Sequence, residues 1–128
     1  MAKLTIRVDL DDKTAFGPGK AKLLEVLDRE GSIRRAAVAM DMSYRRAWLL
    51  VQDIEAAMGK PVVVAKTGGT GGGGVTLTEL GRNLLARYRT IERHAGRAVA
   101  AELRALARLR ARTSEVSGGS KRRSLRRH

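Results

Sequence analysis

The stretch SIRRAAVAMDMSYRRAWLLVQDIEAAM, Ser32 to Met58, decides how the rest of the chain is read. Ser32 stands just before Ile33, where its hydroxyl can accept a bond from an unpaired N–H in the first turn of a helix. Ile33, Ala36, Ala37 and Met40 then recur at helical spacing as a short inward face. Asp41 and Met42 interrupt the pattern, and Ser43 offers a fresh N-cap. Beyond it Ala47, Val51, Ile54 and Met58 fall within a narrow arc at roughly 100° per residue, with Leu50 and Tyr44 beside it. Two short amphipathic helices joined by a tight turn form a helix-turn-helix. Asp41 takes the turn position where glycine is favoured, so a positive φ and some strain are expected there.

Opposite the inward arc of the second helix lie Arg45, Leu49, Gln52 and Asp53, with Arg46 on one flank and Trp48 on the other. Arginine can bond guanine or clamp a phosphate, glutamine can bond adenine, and an outward leucine can touch a thymine methyl. An ordinary solvated helix face with two arginines is the competing reading. Position favours the first: Arg45 and Arg46 sit in the first turn, where positive charge opposes the helix dipole, a small cost that phosphates would offset. Arg45, Leu49 and Gln52 are expected at base edges, and Ser32, Ser43, Arg46 and Lys66 join the candidate contact set. For Trp48, wedging between helices and stacking on DNA are both open.

Working outward towards the N-terminus, Leu4, Ile6, Val8 and Leu10 alternate with Lys3, Thr5, Arg7 and Asp9, the period of a half-buried strand. Asp9, Asp11 and Asp12 lack the spacing of a calcium loop and are read as a solvated strand end. Phe16 to Gly19 form a break, and a helix is expected from about Lys20. Its inner side would carry Leu23, Leu24, Val26 and Leu27, with Gly31 as its C′ residue.

Towards the C-terminus, Pro61 stops helix continuation and Val62 to Val64 open a strand that Val75 to Leu77 answers. Between them TGGTGGGG, Thr67 to Gly74, would let backbone N–H groups approach phosphate, so Thr67, Gly68 and Gly69 join the candidate contacts. A flexible linker is the alternative. Thr78 then caps a proline-free helix reaching about Arg112, about 50 Å at 1.5 Å per residue, with Gly81 allowing close packing. Leu84, Tyr88, Ile91, Ala95, Val99, Leu103 and Leu106 make a seam of mixed three and four spacing that one subunit's core cannot cover, so a homodimer is expected through it.

The 128 residues leave room for one domain and a tail: a DNA-binding domain over 1–78, a dimerisation helix over 79–112, and a basic disordered tail over 113–128. The fold class expected is mainly α with a small β wing. Aromatics make up only 3% of the chain, so the core must be aliphatic and modest. A formal net charge of +13 implies a polyanionic partner. Residues 104–128 carry nine basic residues against Glu115 alone, a tail that either adds phosphate contacts or only aids solubility. There is no cysteine, and His94 and His128 are too few for a zinc cluster, so no metal, cofactor or catalytic residue is assigned. Neither a signal peptide nor a membrane span is legible, and a cytoplasmic location is expected.

GSIRRAA (Gly31 to Ala37), SYRRAW (Ser43 to Trp48), the glycine wing and LTELG (Leu77 to Gly81) resemble the N-terminal DNA-binding domain of the molybdate-responsive ModE regulators. The helix-turn-helix and LT-x-x-G segments are more distantly similar to LysR-type regulators. The resemblance covers roughly the first 115 residues. It implies that Ser43, Tyr44, Arg45, Arg46 and Trp48 contact double-stranded DNA, that the chain dimerises through its last helix, and that its targets concern molybdate. Full-length ModE regulators add a molybdate-binding module. This sequence is expected to end before one could form, which points either to a separate effector-sensing protein or to control by protein abundance alone. The expected function is therefore a dimeric, sequence-specific transcriptional regulator acting on an inverted repeat. The rival is a weakly specific architectural, nucleoid-associated protein; an enzyme is not expected, because no acid and base pair converges.

Overall fold

A computed structural model describes residues 1–66 and 74–117, with side chains described as far as Arg110. By contacts the chain forms two units, Thr5–Glu92 and a second made of Met1–Leu4 with the residues from Arg93 onward. The first unit holds the helix-turn-helix and the wing. Its element order is β1 (Val8–Asp9), β2 (Ala15–Phe16), α1 (Pro18–Glu30), α2 (Ile33–Ala39), α3 (Tyr44–Met58), β3 (Val63–Lys66), β4 (Gly74–Leu77) and the start of α4 (Glu79–Ala98).

The two expected caps are present: Ser32 Oγ accepts from Arg35 N at 2.9 Å and Ser43 Oγ from Arg46 N at 3.0 Å. Between α2 and α3 the chain turns through Asp41, whose φ of +57° makes it the only non-glycine with a left-handed backbone among the described residues. α1 begins two residues earlier than Lys20, because Pro18 stands at the helix start, where its fixed φ fits and its missing N–H is not needed. It ends at Gly31, whose φ of +74° is that of a C′ residue.

The N-terminal strand is shorter than its alternation suggests. Asp11 Oδ1 accepts from the N–H groups of Lys13 and Thr14 at 2.9 and 2.7 Å, a side-chain turn that folds Val8–Asp9 back on Ala15–Phe16. The carboxylates read as a strand end thus include the group that makes the turn. Phe16, which the sequence places in a break, is fully buried.

The core joins Phe16, Leu23, Leu24, Val26 and Leu27 to Ala36, Ala37, Ala47, Val51, Ile54, Val62, Leu77 and Tyr88. Phe16 and Tyr88 meet edge to face at 5.2 Å, and the Tyr88 hydroxyl donates to the Ile6 carbonyl at 2.7 Å. Burial raises the Tyr88 phenol above its ordinary pKa. Beside it Arg89 bridges Glu25 and Glu92 at 2.9 and 2.7 Å, bonds that hold the guanidinium still more firmly protonated.

β3 and β4 pair antiparallel in the register Val63↔Leu77, Val64↔Thr76, Ala65↔Val75 and Lys66↔Gly74. Two carboxylates tie this wing to the helices. Glu55 on α3 accepts from the N–H groups of Val62 and Val63 at 2.8 and 3.3 Å. Asp28 on α1 accepts from the Thr76 hydroxyl and from Arg82, each at 3.3 Å. Thr78 caps α4 through Gly81 N at 3.0 Å while its own hydroxyl donates to the Pro61 carbonyl at 2.8 Å. A Cβ at Gly81 would run into the Val62 carbonyl, so the close packing expected of that glycine is between α4 and the entry to β3.

α4 and α5 (Ala100–Ser117) are parted at Val99, through which helical bonds still run from Val99 N to the Ala95 carbonyl and from Leu103 N to the Val99 carbonyl. Two residues of the expected dimer seam lie against the chain's own core. Tyr88 is 2% exposed and Leu84 packs against the same core, because the body needs α4 to close its open side. Among the described residues no helix is long and apolar enough to cross a membrane.

Two substitutions test this architecture. Asp41→Gly removes the steric cost of a left-handed non-glycine and should raise Tm by roughly 3–6 °C in a thermal melt; a fall would mean that Asp41 is not strained. Glu55→Ala leaves two partly buried N–H groups without their acceptor and should cost about 1–3 kcal/mol in urea unfolding. Glu55→Gln, which keeps an acceptor oxygen, should cost less than half as much.

Candidate nucleic-acid interface

α3 buries Ala47, Val51 and Ile54 and turns the opposite side to solvent. Arg45, Arg46, Trp48 and Leu49 are exposed there, and Gln52 is half-buried. Tyr44, which periodicity places beside the core, is 46% exposed instead, because the first turn of α3 extends past the edge of the core. Trp48 is 40% exposed and, with Tyr44 and Arg45, lines an open depression of about 290 Å³.

Among the described residues Arg45 and Arg46 form no ion pair with a carboxylate, while Arg35 is held by the Glu30 carbonyl and lies 3.9 Å from the Glu30 carboxylate. Two uncompensated guanidinium groups in the first turn of a helix repel that end of the helix dipole, so the face is electrostatically incomplete. Ser32 and Ser43 spend an acceptor lone pair on their caps and keep a hydroxyl proton to donate.

Two residues from the RR pair of α2 were not assigned from the sequence. The Arg34 guanidinium lies 5.1 Å from the centre of the Tyr44 ring, a cation–π contact that joins α2 to α3 at the outer surface. Arg35 and Lys66 converge above Gly31: a Cβ there would lie 3.5 Å from Arg35 Nη2 and 3.9 Å from Lys66 Nζ. Helix and wing thus present their cations side by side. The signal for this was the RR dipeptide itself, whose positions lie opposite the buried Ala36 and Ala37. Thr67, Gly68 and Gly69 of the wing tip lie outside the described residues.

The farther residues of the expected seam are exposed or half-buried. Ile91 is 43% exposed; in the second unit Leu106 is 55% exposed, and Ala95, Val99 and Leu103 are half-buried.

Residues 19–82 match the family of bacterial regulatory helix-turn-helix proteins, lysR family. The molybdenum transport protein ModE of Azotobacter vinelandii is 39% identical over 112 residues, 88% of this chain and 39% of that protein. The molybdenum-pterin-binding protein MopB of Rhodobacter capsulatus is 42% identical over 77 residues, 60% of this chain and 28% of its own length. The DNA-binding transcriptional dual regulator ModE of Escherichia coli K12 is 31% identical over 87 residues, 68% of this chain and 33% of its own. The chain therefore spans about two fifths or less of these relatives. Among solved structures, that of the CbnR_DBD-DNA complex superposes with a TM-score of 0.51 at 25% identity, covering 70% of this chain and 95% of that one. The matched span contains both caps, the left-handed turn and the wing strands, and the chain belongs to the bacterial regulatory helix-turn-helix proteins of the lysR family.

Proposed function

We propose that this chain is a transcriptional regulator of ModE type that binds double-stranded DNA as a homodimer on an inverted repeat, with targets concerned with molybdenum. The observation that carries the reading is the outer face of α3. Arg45 and Arg46 stand there without carboxylate partners among the described residues, and Arg35 and Lys66 converge above Gly31, where α2 and the wing meet. α3 enters the major groove, Arg45, Leu49 and Gln52 read base edges, and Ser32, Ser43, Arg46 and Lys66 hold phosphates. Ile91, Leu103 and Leu106 pair with their counterparts in a second copy, and two-fold symmetry places the two recognition helices on successive grooves of one face. The molybdenum theme is supported by the names of the relatives from Azotobacter and Rhodobacter.

The net charge of +13 favours a second reading, an architectural protein that coats DNA with little preference. Both forms weaken steeply with salt, so competition decides between them. A duplex selected from genomic fragments should bind more than ~10³ times tighter than random DNA and show a repeat with two-fold symmetry. A ratio near one overturns the regulator. Sedimentation over a wide concentration range should give a dimer; a chain that stays monomeric throughout overturns the pairing.

Arg45→Ala should cost ~1–3 kcal/mol on the selected duplex and relax the preference at one base pair, whereas Arg46→Ala should weaken all duplexes alike. Identical profiles for the two variants would contradict the division between base reading and phosphate holding.

A further inference from the structure

We propose that Tyr44 and Trp48 form a receptor for the methyl group of a thymine, making this ring pair a specificity determinant alongside Arg45. The inference rests on the DNA-binding reading above and adds to it the chemical group recognised. Tyr44 and Trp48 stand one helical turn apart on α3, so their rings lie on the same side, and with Arg45 they line the depression of about 290 Å³. Both residues keep two fifths or more of their surface in solvent, an unusual place for the only tryptophan of a chain with four aromatic residues in all. The Tyr44 ring is also held: Arg34 reaches over from α2 to lie 5.1 Å from its centre, which steadies that wall of the depression. Arg34 is thus a positioning residue for Tyr44.

The occupant follows from what surrounds the depression. Arg45 lines it, Arg34 abuts it and Arg46 follows in the same turn, while the nearest acid on the outer side of α3, Asp53, lies more than a turn beyond Trp48. An apolar surface framed by guanidinium groups suits a partner that is itself apolar at one point and anionic around it. The major groove of a duplex has that character, because its walls are phosphate and the thymine C5-methyl is the one apolar group that standard bases display there. Arg45 would meet a base acceptor beside the methyl, and the two rings would remove the methyl from water.

The test uses the full chain and a duplex selected by it, with each thymine replaced in turn by deoxyuridine, which deletes only the methyl. At one thymine, or one adjacent pair, in each half-site the wild-type chain should lose affinity roughly three- to fivefold, the value for burying one methyl-sized group. Trp48→Ala and Tyr44→Ala should bind the thymine and uracil forms of that position equally, while Tyr44→Phe, which keeps the ring, should preserve the difference. Because Trp48 is the sole tryptophan, its emission reports on the wild-type complex directly and needs no variant. It should change on binding and differ again when the critical thymine, but no other, becomes uracil. A chain with no preference for any duplex sinks the DNA-regulator reading first. A chain that binds its selected duplex tightly, yet with no thymine sensitive to loss of its methyl, or with a sensitivity that survives Trp48→Ala, overturns this inference alone.

Discussion

One backbone carbonyl, that of Gly31, holds the recognition unit and the wing in a single piece. Gly31 turns left-handed at the end of α1, which aims Ser32 as the cap of α2, and its carbonyl accepts from Val75 N at 2.9 Å. The return strand of the wing therefore docks on the corner that starts the helix-turn-helix. Gly74 lies so close that a Cβ there would sit 2.6 Å from the same oxygen, while Gly31 itself is constrained by its left-handed φ of +74°. Glu55 and Asp28 brace the wing from α3 and α1. The cations of α2 and of β3 are side by side because the backbone beneath them is shared.

The outer surface of α3 is built against the preferences of an isolated helix. Its first turn carries two arginines where a helix favours acids, and Tyr44 and Trp48, one turn apart, stay exposed where burial would be worth more. Ala47, Val51 and Ile54, all buried, offset these costs by anchoring the opposite side. The Arg34–Tyr44 contact further limits them by giving one ring a partner within the chain. What is left unsatisfied, cationic and apolar together, is the part of the surface that chemistry says should meet something.

α4 serves two purposes along its length. Its first turns close the body through Leu80, Leu84 and Tyr88, with the Tyr88 hydroxyl bonded back to the strand-like N-terminus at Ile6. Farther along, Ile91 turns outward, and Leu106 in the second unit does the same. A seam continuous in sequence is thus divided between the chain's own core and exposed surface.

The order of the elements from α1 to α4, both serine caps, the left-handed turn at Asp41, the two wing strands and the outward arginines follow from sequence alone, because each depends on periodicity or on backbone preferences within a few residues. Tertiary structure decided everything that spans longer separations. It made Asp28 and Glu55 into wing anchors, brought Arg35 to Lys66, set Arg34 over Tyr44, and drew Tyr88 out of the expected pairing seam into the core. No local pattern encodes these, since a polar side chain on a helix surface carries no mark of which distant N–H will need it. A seam residue carries no mark of whether its own core or a second chain will reach it first.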